Sequence, residues 1–286
     1  MKISLTQFAI VLALTVFGAC SNPSEKEQEK QPEIRIVSLH AAASEIICAL
    51  GAENQLIGVD VTSVYPQSVE EKVNLGHISG ITAQGILSLK PNVVIANGLE
   101  LSVQLEQQLT DVGVTVVKIS PDYSINGSVK LIKEIGGLVN EKEKAQELIT
   151  KTKQDYSAIQ PLENAPSVVF VYARGAGTLM VAGKNTQMNA LIELAGAKNA
   201  FTDFEGFKPL TAESLVSVNP DVLFLFDTGL QSMGGIEGLV QIPGFDLTNA
   251  GKNKHVISMD GSLVSSFGPR LPQALAEFIE KLKQLN

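Results

Sequence analysis

ITAQGILSLKPNVVI, residues 81–95, returns 129 residues later as LTAESLVSVNPDVLF, residues 210–224. Thr82/Thr211, Ala83/Ala212, Ser88/Ser217, Pro91/Pro220 and Val93/Val222 are identical pairs, and most of the others are conservative. Each copy reads as a Thr N-cap, one short helix, a proline stop and a buried strand. One long repeat present twice predicts paired lobes, since solenoids need at least three short repeats.

The pattern extends outward from both copies. In the first half, Ile34–Leu39, Gln55–Val61, Val93–Ala96 and Val114–Ile119 are strand patterns, and Ser44–Leu50 has helical spacing that stops at Gly51. In the second half, Ser167–Tyr172, Asp221–Phe226 and Lys254–Met259 are strand patterns, while Asn189–Leu194 and Pro272–Leu285 are helical. Strands alternating with helices predict an α/β fold with parallel sheets and crossover connections. Between the halves, NEKEKAQELITKTKQDYSAIQPLE (140–163) is rich in helix formers and has no Gly or Pro before Pro161. It predicts one long, mostly exposed helix joining an N-terminal lobe (34–139) to a C-terminal lobe (164–286), a stiff connector unlike a Gly/Ser linker.

Composition narrows the function. The 286 residues are 44% hydrophobic but only 5% aromatic, with no Trp, so the core is aliphatic, as suits parallel sheets. A formal net charge of −8 argues against nucleic acid as a partner. Two cysteines make neither a disulfide framework nor a Cys-based zinc site. Lys2 followed by an apolar run from Phe8 to Phe17 and then Gly18-Ala19 describes a secretory signal over residues 1–19. Small residues directly before Cys20 resemble the bacterial lipobox, with Phe17 a departure from the usual Leu. That resemblance implies that Cys20 is lipidated, and that residues 20–33, polar after the cysteine, tether a soluble body to a membrane surface. Cys48, in an apolar run, then reads as a buried small hydrophobe.

The chain has no G-x-S-x-G, H-E-x-x-H, P-loop or C-x-x-C motif, so no catalytic residue is expected. A secreted, tethered, two-lobed α/β chain without such motifs suggests capture of a ligand in a cleft between lobes. Arg174 follows a strand and precedes a glycine turn, at the strand end where open α/β sheets bind ligands. Tyr172 in the same strand, and the loop cations Lys208 and Arg270, are further candidates. His40 follows the first strand, and His77 lies just before the repeated helix; both are placed to line a cleft.

RIVSLHAAASEIICALGAENQLIGVDVTSVYP (35–66) resembles the opening of the haem-uptake substrate-binding proteins of bacterial ABC importers, within the group that also binds cobalamin and ferric siderophores. FVYARGAGTLMVAGKNT (170–186), GFKPLTAESLVSVNPD (206–221) and FGPR (267–270) carry the same resemblance across nearly all of the mature chain. It implies two Rossmann-like lobes joined by one long helix, and a monomer that delivers haem to a permease dimer and its ATPase. It also implies that Tyr65, in Thr62-Ser63-Val64-Tyr65-Pro66, is the axial iron ligand. A phenolate oxygen is a hard anionic donor suited to ferric iron. Arg174 could pair with a haem propionate. His77 or His40 could be a second axial ligand or hydrogen-bond a propionate. In the wider family each repeated helix carries an acid that docks on the permease; Glu213 matches that position in the C-terminal lobe, and Gln84 stands there in the N-terminal lobe. Three alternatives stay open: a same-fold binder of a ferric siderophore or cobalamin, which has no need of Tyr65; an enzyme on paired lobes, for which no base or nucleophile is visible; and an adhesive lipoprotein, which would not need an internal cleft.

Overall fold

Four- and five-residue runs of β-branched and aliphatic side chains build the first sheet. Its strands are β1 (Ile36–Leu39), β2 (Leu56–Val59), β3 (Val73–Asn74), β4 (Val93–Asn97) and β5 (Thr115–Ile119). They are all parallel, in the order β3-β2-β1-β4-β5. The computed structural model describes residues 33–175, 177 and 179–285; Cys20, the signal and most of the tether lie outside them. Every residue of β1 is buried, as a central strand covered on both faces requires. Its side chains alternate between two cores: Ile36 packs with Ile46, Ile47 and Ile132 on one face, and Val37 and Leu39 with Ile86 and Leu105 on the other.

The second sheet holds β6 (Ser167–Ala173), β7 (Leu179–Ala182), β8 (Lys198–Asn199), β9 (Phe207–Pro209), β10 (Val222–Phe226) and β11 (Val256–Met259). The order is β11-β10-β6-β7-β9, with β8 also paired to β6. The expected parallel pairing holds at the centre of this sheet, and an antiparallel edge is added to it. β6, β8, β10 and β11 pair in parallel, but β7 runs antiparallel to both β6 and β9. Only residues 174–178 separate β6 from β7, and a parallel return needs a crossover of about a dozen residues. Val168 and Phe170 face one core and Val169 and Val171 the other. In the first of these, Phe170 and Phe278 both pack on Phe224, at ring-centroid distances of 5.3 and 4.8 Å.

The two copies of the repeat occupy corresponding places. Thr82 accepts from Gly85 N–H at the start of the helix Ala83–Ser88, which leads into β4. Thr211 accepts from Ser214 N–H in a capping box ahead of the helix Ala212–Val218, which leads into β10. β4 lies beside β1, and β10 beside β6.

Within the 140–163 stretch the helix runs Lys142–Ser157. It is mostly exposed, as expected, and its few buried positions tie it to the cores. Ala145 and Ile149 are buried in the core of the first sheet, whereas Tyr156 and Ile159, at and beyond its end, pack on the core of the second. A preceding helix, Ile125–Leu138, lies against it so closely that a Cβ on Gly136 would stand 2.2 Å from the Ala145 Cβ. The fold is thus two Rossmann-like lobes held by a helix whose ends belong to different cores. Among the described residues no helix is long and apolar enough to cross a membrane.

Candidate functional site

The first residues beyond the strands of the first sheet converge on one cavity of about 180 Å³. His40 follows β1, Asp60 and Thr62 follow β2, His77 follows β3, Asn97 ends β4 and Tyr123 lies beyond β5. Ser262, Ser265 and Ser266, after β11, line it from the second lobe. A cleft at the carboxyl ends of strands is where open α/β sheets bind ligands.

The loop carrying Tyr65 is anchored from below by hydroxyl groups. Asp60 accepts from Ser63 Oγ at 2.8 Å and from Thr62 Oγ1 at 2.6 Å. Ser63 Oγ lies 2.8 Å from Ser44 Oγ, which donates to Ser38 Oγ at 2.9 Å. Ser38, Ser44, Ser63 and Asp60 are all buried, so each hydroxyl needs the partner it has. On this base Tyr65 stands 45% exposed, joined to Pro66 by a cis peptide. Its ring lies over the Arg270 guanidinium, 3.5 Å from carbon to centroid, a close cation–π contact.

Arg270 has a second engagement. Its Nη2 donates to Glu45 Oε2 at 2.9 Å, and both side chains are largely out of water, 16% and 4% exposed. Glu45 belongs to the helix Ala41–Ala49 of the first lobe, and Arg270 precedes the helix Leu271–Lys283 of the second. The pair therefore bridges the lobes. Glu45 Oε1 and Arg270 Nε are buried without a hydrogen-bond partner. Beside it Ser128 Oγ donates to the Phe267 carbonyl at 2.7 Å, and Tyr123 packs edge-on against Phe267 at 5.4 Å. The FGPR segment is thus the seam between lobes. Burial, with the Glu100 carboxylate adding to it, pushes the Tyr123 phenol above its ordinary pKa.

Arg174, Tyr172 and Lys208 form a separate group on the hairpin side of the second sheet. Arg174 Nε donates to the Tyr172 hydroxyl at 2.6 Å, and the Tyr172 ring packs on Phe226 at 6.1 Å. Lys208, opposite Val181 in β9, lies over Phe204 at 4.6 Å. Among the described residues no hydrogen bond, ion pair or ring contact joins this group to the Tyr65 loop. Glu213 and Gln84 are exposed in the first turns of the repeated helices. Cys48 is half-buried against the first core, and burial pushes its thiol up to about 12.

His40 is partly buried, and burial holds it below the ordinary histidine range although Asp60 opposes the shift. His77 is exposed, with Nδ1 2.9 Å from Ser79 Oγ. Glu45 and Tyr123 were not singled out in the sequence. Tyr123 follows a strand pattern as Tyr65 does, and that position was its only signal; Glu45 sits on a core-facing helix and gave none.

Two α/β lobes, a cleft at their strand ends and a helix shared by both cores define a bilobal ligand-binding protein. The chain belongs to the periplasmic binding protein family, whose profile matches residues 36–263. It is 28% identical to the uncharacterized ABC transporter substrate-binding lipoprotein YvrC of Bacillus subtilis, over 96% of this chain and 95% of that one. It is 24% identical to a vitamin B12-binding protein of Vibrio parahaemolyticus, over 89% and 91%. Among solved structures, the periplasmic heme-binding protein RhuT from Roseiflexus sp. RS-1 superposes with a TM-score of 0.82 at 32% identity, covering 88% of this chain and 99% of its own. The chain is accordingly an extracytoplasmic substrate-binding protein of an ABC transporter.

Proposed function

We propose that this protein captures haem outside the cytoplasmic membrane and delivers it to an ABC permease dimer with its ATPase. The observation that carries the reading is Tyr65: a half-exposed phenol on a buried hydroxyl-bonded loop whose Asp60 and Thr62 line the cavity, backed by a guanidinium. A phenolate there would ligate ferric iron. Likeness to a heme-binding structure supports the same ligand. The role is capture without catalysis, by a monomer held to the membrane through a lipid on Cys20, after removal of residues 1–19. Titration of the 21–286 fragment with hemin should give a Soret shift, and Tyr65→Ala should lose the phenolate-to-iron charge-transfer band.

The relationship to vitamin B12-binding proteins favours a second reading, in which the same cleft takes cobalamin. Tight cobalamin binding with no Soret shift on hemin addition would establish it over haem; a ferric siderophore is tested in the same competition.

A further inference from the structure

Both cleft histidines serve as caps, and that fixes where their protons are. Ala43 N–H donates to His40 Nδ1 at 3.3 Å, and Ser79 N–H donates to His77 Nδ1 at 3.3 Å. A backbone amide can only donate, so each cap requires a lone pair on Nδ1; at His77 the Ser79 hydroxyl, 2.9 Å from the same nitrogen, is then a second donor to it. In a neutral imidazole the proton then resides on Nε2. For His40, burial favours the neutral ring. Both rings line the same cavity, and among the described residues neither Nε2 has a hydrogen-bond partner.

We propose that His40 and His77 present Nε2–H to the cleft as hydrogen-bond donors for oxygen acceptors on the rim of the ligand, and that neither ligates its iron. The proposal rests on the haem reading. Iron ligation through Nε2 needs the lone pair on that nitrogen. The ring proton would then have to sit on Nδ1, where it would point at an amide hydrogen and break the cap. A donor role leaves both caps intact. The acceptors that a porphyrin offers at its rim are its carboxylates, and hydrogen bonds to charged acceptors are the stronger kind. Two protein carboxylates share the cavity, but they are already served: Asp60 by Thr62 and Ser63, and Glu100 by Asn97 Nδ2 at 3.2 Å. Among the described residues neither carboxylate accepts a hydrogen bond from an imidazole.

Metal-free protoporphyrin separates the two roles, because it keeps the carboxylates and lacks iron. Asn is a good N-cap, so His40→Asn and His77→Asn retain the cap acceptor while withdrawing the ring; a thermal melt confirms that each variant is folded. The double variant should bind hemin and metal-free protoporphyrin about tenfold more weakly, to the same extent for both. The Soret position and charge-transfer band of its hemin complex should match those of the wild type. A changed haem spectrum in either variant, with unaltered affinity for the metal-free porphyrin, would make that histidine an iron ligand and overturn the proposal. Wild-type protein that binds neither porphyrin would end the haem reading, and this inference with it.

Discussion

The two lobes share a local grammar and differ in what they add to it. Thr82 and Thr211 cap equivalent helices, Lys90 and Asn219 close them with positive φ (53° and 39°), and Pro91 and Pro220 follow. The first lobe keeps a purely parallel sheet, and its strand ends supply most of the cavity. The second inserts a hairpin, whose turn carries Arg174 and whose outer strand pairs with the strand bearing Lys208, and sends the FGPR segment back across the seam. A duplicated scaffold thus allows one lobe to hold the iron-ligand candidate and the other to supply cations. The repeat positions themselves are left for the outer surface, where Gln84 and Glu213 lie.

The sharpest way to break the comparison is at the contact where the lobes meet. Glu45→Ala leaves the Arg270 charge buried and unpaired, and should cost about 3 kcal/mol in a urea-unfolding measurement. Glu45→Ala/Arg270→Ala should lose clearly less than the sum of the single variants; additivity would show that the pair is not coupled.

Asymmetry on the outer surface is tested next. Glu213→Ala should weaken docking to the permease–ATPase complex by about tenfold, the loss of a charge-assisted hydrogen bond, with haem affinity unchanged. Gln84→Ala should do less, and Gln84→Glu should hold or strengthen docking. Wild-type transport rates in Glu213→Ala would remove the docking assignment and leave the binding function standing.

Acid should distinguish the lobes as well. His40 is held below the histidine value of 6.5, so below that pH the unfolded chain binds the proton more readily than the folded one. Stability from this group is present above pH 6.5 and is lost as pH falls. The helix His40 caps should therefore exchange amide hydrogens faster at pH 5.5 than at pH 7.5, relative to the Thr186-capped helix Gln187–Leu194 of the second lobe. His40→Asn should abolish the difference.

The smallest effect lies within the repeat. Lys90 takes the left-handed conformation that its counterpart Asn219 tolerates better. Lys90→Asn should stabilise the protein by about 0.5 kcal/mol, and Asn219→Lys should destabilise it by a similar amount.

What the sequence made legible was local. Repeated caps, proline stops and apolar strand runs located β1, β4, β6 and β10, because each is written in neighbouring residues. The cavity was legible in part, since ligand-facing side chains follow strands; that rule reaches His40 and His77. The helix Ile125–Leu138 contains glycines, which local sequence rules count against a helix. They serve close approach instead: a Cβ on Gly127 would stand 2.0 Å from the Asp122 carbonyl oxygen. The Glu45–Arg270 pair spans 225 residues, and nothing near either member signals the other. The antiparallel hairpin was hidden in the short link after β6, which reads equally as a ligand loop.

The anchored Tyr65 loop has a kinetic consequence. With Asp60, Ser63, Ser44 and Ser38 bonded in series and Arg270 clamped by Glu45, few rotamers remain to be frozen when a guest arrives. Association then approaches a simple encounter, and differences in affinity among variants should appear mainly as differences in residence time. A receptor built this way does not let go readily by itself. Unloading calls for mechanical work on the seam, and a pair of surface grips, one on each lobe, is where an external machine could apply it.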